Sequence, residues 1–177
     1  MKNKSFIIKG DIIYSDTPEK LLAVKDGYLI CKDGISGGVY KSLEEIPEIY
    51  RDCDLIDYSG KLVIPGLTDL HIHAPQYAYR GIWTDMELID WLNFHTFPEE
   101  SRYKDSDYAK RAYEIFVNDI KKTSTTRFCA FSTIHVEATE ILMDMVEESG
   151  LKAYIGKVNM DRNSPDTLRE STEESYR

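Results

Sequence analysis

At Pro65-Gly66 the chain changes rhythm, and the change narrows the folds open to it. From Phe6 to Ile64 the apolar runs are short, 6-FII-8, 12-IIY-14, 21-LLAV-24 and 28-YLIC-31, and Asp-Gly or Gly-Gly pairs punctuate them. Such runs predict β-strands, and Asp26-Gly27 and Asp33-Gly34 are expected hairpin turns, because glycine accepts the positive φ that tight turns require. One interruption, 42-SLEEIPEIY-50, predicts a short helix with Ser42 as N-cap, Glu45 completing a capping box and Pro47 ending it.

Beyond that point strands and helices alternate. The run 62-LVIPGLTDLHIH-73 predicts a buried strand, and residues 84–97 predict a helix with Thr84 and Glu87 in capping-box spacing. Residues 107–122 predict a second helix with Tyr108, Ala112, Ile115, Phe116 and Ile120 as its apolar stripe. A strand over 127–134 follows. The helix over 137–149 buries Ala138, Ile141, Leu142, Met145 and Val146 and stops at Gly150, which adopts the left-handed conformation freely. A third strand spans 151–160, and 168–177 starts another amphipathic or charged helix.

Strand, helix, strand, helix, strand in that order predicts right-handed βαβ units on a parallel sheet. The expected fold class is therefore α/β, with a small β unit at 1–64 and the first βα units of a larger domain at 65–177. A complete (β/α)8 barrel takes about 250 residues, so such a barrel is expected to be incomplete within these 177 residues.

Composition excludes several functions. The net charge of −9 argues against nucleic acid, whose phosphates must be neutralised by Lys and Arg. No apolar run reaches the length of a membrane span, and Lys9, Gly10 and Asp11 break the N-terminal run before it could act as a signal segment. Cys31, Cys53 and Cys129 are odd in number and widely spaced, which suits free thiols in a reducing cytoplasm better than a disulfide framework.

The chemistry concentrates in 71-HIH-73. Residues i and i+2 of a strand point the same way. His71 and His73 are therefore expected on one face at the C-terminal end of a strand, where parallel α/β folds assemble their sites, and both imidazoles can converge on one divalent ion. His135 stands beyond the second strand on the same rim, a third ligand or, as a lone histidine more often is, a hydrogen-bonded loop or substrate-side residue. His95 is expected to stabilise a helix C-terminus. Tyr77, Tyr79, Trp83 and Trp91 are expected in packing, with the wall of an apolar pocket as the alternative. Glu147-Glu148 and Glu173-Glu174 read as solvated helix faces. Gln76, three residues past His73, carries an amide that can donate to and accept from a planar heterocycle.

The stretch 65-PGLTDLHIH-73 resembles the first-strand motif of the amidohydrolase superfamily, PGxxDxHxH. Together with 73-HAPQY-77, 87-ELIDWLNFHTFPEESRY-103, 132-STIH-135, 156-GKVNMDRN-163 and 172-TEES-175, the sequence is similar to the guanine deaminases within it. That resemblance implies a zinc (Zn2+) hydrolase converting guanine to xanthine and ammonia, with a β-sandwich beside a (β/α)8 barrel and a homodimeric assembly. It also implies His71 and His73 as zinc ligands and Gln76 as a contact to the purine. The other guanine deaminase design, with HxE and PCxxC, is absent. Members carry two more histidines, a glutamate, an aspartate and an arginine on later strands, and no catalytic residue is assigned in this chain. Ser124 stands where members commonly have glycine. The chain is thus expected to be an N-terminal part, inactive alone. The alternatives are a non-catalytic half-barrel or another deaminase of the superfamily.

Overall fold

The computed structural model describes residues 5–176 of the chain. It comprises two compact units, Met1–Pro65 and Gly66–Arg177.

In the first unit β1 (Phe6–Thr17) pairs antiparallel with β2 (Lys20–Lys32), and β2 with β3 (Ile35–Tyr40). β4 (Asp54–Val63) lies parallel to β1, so the sheet order is β3-β2-β1-β4. Asp33-Gly34 forms the expected turn: Lys32 faces Ile35 across it, and both turn residues have positive φ, 54° and 79°. Asp26-Gly27 does not form one. Gly10 pairs with Gly27 and Ile12 with Val24, so β2 carries one extra residue, a bulge inside a 13-residue strand. Asp26 sits there at φ 50° and donates its N–H to Asp11 Oδ1 at 3.0 Å. The reversal between β1 and β2 falls instead at Pro18-Glu19.

The helix expected at 42–50 is replaced by turns and a 3-10 turn, Glu48–Tyr50. Pro47 holds an extended ψ of 137° and offers no N–H, which breaks helical continuity. Glu45 accepts from the Lys41 N–H at 2.8 Å rather than completing a box with Ser42. Ile46 is anchored with Ile7 and Ile30 in this unit's core.

The second unit is mixed α/β. β5 (Leu67–His73) leads through a 3-10 turn, Ala74–Tyr79, to α1 (Leu88–Trp91), a π-helical turn Leu92–Thr96, and α2 (Phe97–Ser101). Then come α3 (Ser106–Ile120), β6 (Thr125–Phe131), α4 (Val136–Ser149), β7 (Lys152–Gly156) and α5 (Thr172–Ser175). The three strands are parallel in the order β5-β6-β7, as the alternation of strand and helix dictates.

Gly66 shows why the chain is small at the entry to β5. A Cβ there would fall on the Thr126 side chain, while the Leu67 N–H donates to Ser124 O at 2.8 Å. Ser124 thus serves through its carbonyl, which any residue supplies.

α3 begins where Asp105 accepts from Asp107 N and Tyr108 N at 2.9 and 3.3 Å. Its buried face is Ala109, Tyr113, Phe116 and Val117, and Ile115, expected on that stripe, is 56% exposed. The true stripe is centred one step further round the helix. α4 buries Ala138, Thr139, Leu142 and Val146 and ends at Gly150 with φ 80°. Phe116, Phe128 and Leu142 pack between helices and sheet, and each such burial contributes roughly 1.5–3 kcal/mol.

Two helix ends differ from expectation. Thr84 and Glu87 make no capping box, because Gly81 and Trp83 are still turning at φ 76° and 58°, and the helix starts only at Leu88. Glu174, expected to be merely solvated, receives the Ser171 N–H at 2.8 Å, while Ser171 Oγ caps the Glu174 N–H at 3.2 Å. β7 ends at Gly156, short of the expected 160; beyond it Lys157 Nζ grips Glu170 Oε2 at 2.7 Å and ties the following loop down.

Candidate metal and ligand site

The last residues of β5 are re-aimed by a bulge. Asp69 pairs with Phe128 and Ile72 with Ala130, so β5 carries one residue more than β6 over this stretch. Asp69 Oδ1 accepts the His71 N–H at 3.1 Å and holds the bend. Beyond it His71 and His73 share a face: their ring centroids lie 5.1 Å apart at an interplanar angle of 62°. Phe131, at the end of β6, touches both rings, at 5.1 Å from His71 and 4.9 Å from His73. Ile72 turns to the opposite side and packs on the core.

This pair fits one end of a zinc site. Two imidazoles bound through nitrogen to one tetrahedral ion, with bonds of about 2.0–2.1 Å, place their ring centres about 5 Å apart. Burial, followed by the neighbouring His71, pushes the His73 pKa down and favours the neutral ring that binds metal. Among the described residues no group of three or more His, Cys, Asp or Glu converges, so the pair stands without a third donor. His135 is not brought to it. That ring precedes α4, its Nε2 is buried with no hydrogen-bond partner, and burial, then Lys104, lowers its pKa. His95 is not at a helix end either: it lies in the π-helical turn, stacked on Trp83 at 3.7 Å and 5°.

Above the histidines opens a cleft of about 660 Å³, lined by both rings, Gln76, Tyr79, Trp83 and Trp91 among others. The aromatic group expected mainly in packing therefore contributes a wall, with Trp83 44% exposed. Tyr79 is buried, donates to Thr96 Oγ1 at 2.9 Å, and burial raises its pKa to about 12. Tyr77 also reaches the cleft, but its hydroxyl donates to Asp119 at 3.0 Å and its ring carries the Arg80 guanidinium at 3.7 Å.

One residue of the site is invisible in the sequence. Glu100, on α2, is 5% exposed, and the side chain of Gln76 lies beside its carboxyl. Burial pushes its pKa up to about 7, and the neighbouring Gln76 amide opposes the rise. Within 97-FPEES-101 it reads as one of two acidic residues in a helix's first turn. No local signal marks it, because the side chain it lies against, Gln76, is 24 positions earlier.

Paired histidines at the end of a parallel strand face a cleft with polar and aromatic walls, the kind of place where hydrolases of α/β folds assemble their sites. The sequence pattern of the amidohydrolase family matches residues 62–177, and the chain belongs to that family. Within it, the chain is similar to guanine deaminases. The enzyme of Dictyostelium discoideum is 36% identical over 96% of this chain and 41% of its own length, and that of Rattus norvegicus 41% identical over 98% and 40%. The crystal structure of the guanine deaminase from C. acetobutylicum, with guanine bound in the active site, superposes with a TM-score of 0.90 at 41% identity. It is matched over 97% of this chain and 40% of that one. The chain thus spans about two fifths of the relatives it matches.

Proposed function

We propose that this chain carries the histidine pair and the purine contact of a zinc-dependent guanine deaminase, hydrolysing guanine to xanthine and ammonia. The observation that carries the reading is the placement of His71, His73 and Gln76 on one cleft, joined to the similarity with enzymes named guanine deaminases. In this reading the three parallel strands open a (β/α)8 barrel and the four-stranded sheet belongs to a β-sandwich.

His71 and His73 would hold the zinc, which when bound lowers the pKa of water towards about 7 and so makes attack on an amino-bearing carbon feasible at neutral pH. Gln76 orients the purine through its amide, which both donates and accepts. Tyr79, Trp83 and Trp91 wall the cleft, contact the flat faces of the ring system and exclude water. With two imidazoles and no third donor among the described residues, the chain by itself turns over no guanine at a useful rate.

Trp83 and Trp91 are the chain's two tryptophans and both line the cleft, so their emission reports its occupancy. The zinc-loaded chain should show saturable quenching by guanine, weakened about tenfold in Gln76→Ala, the loss of one or two good hydrogen bonds. Any xanthine formation should require zinc. Absence of a saturable guanine response would remove the purine assignment, and turnover by the chain alone would show that the missing donors had been misplaced.

A further inference from the structure

We infer that Glu100 is a positioning residue: its carboxylate takes the NH2 group of Gln76 and so turns the Gln76 Oε1 into the cleft as an acceptor for a ring N–H of the purine. The purine half of this statement rests on the function proposed above; the pairing of the two side chains does not.

An ionised carboxylate only accepts, whereas the amide has two donors on one atom and acceptor lone pairs on the other. Gln76 can therefore meet an ionised Glu100 only through its NH2 group. The amide is planar, so fixing one end fixes what the other end offers. Protonation opens the opposite sense, because the acid gains an O–H donor. The carboxylic acid donates its O–H to Gln76 Oε1, and the NH2 group then faces the ligand.

The surroundings make such control workable. Glu100 is almost wholly buried, and the groups facing it are phenols from three elements: Tyr79 from the turn after β5, Tyr103 from the turn after α2 and Tyr113 from α3. Its proximity adds to the raised pKa of each of the three, behind burial as the largest cause in every one. Each hydroxyl is itself engaged, Tyr79 with Thr96, Tyr103 with the Pro75 carbonyl and Tyr113 with Ser132. The neighbouring Glu99 points elsewhere, to Tyr108 and Arg102. Gln76 is thus the partner left to satisfy Glu100. An acceptor turned into the cleft suits guanine, whose N1–H and 2-amino group donate, and opposes the acceptor nitrogens N1 and N3 of adenine.

The first measurement needs neither ligand nor metal. In ¹⁵N-labelled chain the side-chain NH2 signals of Gln76 should move with a midpoint near pH 7, where burial has placed Glu100, and the movement should vanish in Glu100→Gln. Signals that ignore both pH and the substitution would overturn the inference; if Glu100→Gln does not fold, the wild-type titration decides alone. The second measurement compares guanine with adenine by tryptophan emission. Glu100→Gln should lose about tenfold of the preference for guanine. Unchanged preference with a folded variant would end the specificity role and leave the proposed function standing. A pH-responsive Gln76 in a chain that binds no guanine would support the pairing and reject the purine assignment.

Discussion

Replacing Glu100 by Gln should make the second unit more stable at neutral and alkaline pH and leave it nearly unchanged in acid. The folded state holds the Glu100 proton up to about pH 7, whereas an ordinary glutamate releases it near 4.5. Between those values the folded chain binds more protons than the unfolded one, so stability falls as pH rises through the window and levels off above it. At about 1.36 kcal/mol per pH unit the full effect is about 3 kcal/mol. Glutamine keeps the shape and a hydrogen bond to Gln76 but has no charge to suppress, so it should escape that loss. Urea titration read by tryptophan emission is the suitable assay, because Trp83 and Trp91 both lie in Gly66–Arg177 and the four-stranded sheet is silent. The two proteins should agree within about 0.5 kcal/mol at pH 4.5, and the variant should lead by about 3 kcal/mol at pH 8. A variant equally or less stable at pH 8 would refute the idea that burial keeps this carboxyl protonated.

Gly66→Ala should cost about 1–3 kcal/mol through overlap with Thr126, and Thr126→Gly in the same chain should recover most of it in urea titrations. Glu170→Gln should strand the Lys157 charge, whose side chain is 17% exposed, at a loss of about 3 kcal/mol. Hydrogen exchange at Glu170 N, which donates to Met160 O, should quicken with it. His71→Ala should remove most of the zinc retained after dialysis, as elemental analysis would register, and unchanged metal content would count against the strand-end assignment.

Sequence reasoning reached the helices with strong local signals. α3 and α4 were legible because their periods are helical, and Gly150 could mark an end on its own chemistry. His71 and His73 were legible because a strand's two-residue period leaves no choice of face, and the bulge at Asp69 re-aims them together. Asp26-Gly27 is ambiguous in sequence because the same dipeptide satisfies a turn and a bulge, and only the partner strand decides between them. Ile115 was misplaced because one residue of helix is about 100° of rotation. Glu100 had no local signal: its meaning comes from Gln76, 24 positions earlier, and from a phase set by the turn between α1 and α2.

That turn has a further consequence. The five π-helical residues Leu92–Thr96 widen the coil by one residue relative to an unbroken α-helix. Deleting one of them lets the segment rewind as regular α-helix in the same phase, because the widened turn already absorbs the extra residue; winding all five as α-helix without a deletion would instead swing everything downstream by about 100° and advance it by about 1.5 Å. Trp91 would keep its station while the carboxyl on the far side was dialled away from the amide it serves. The widened coil is in that sense a phase adjuster: a single-codon deletion there should leave wall and anchor coupled, whereas a change that straightened all five residues would part them while every contacting side chain is still encoded.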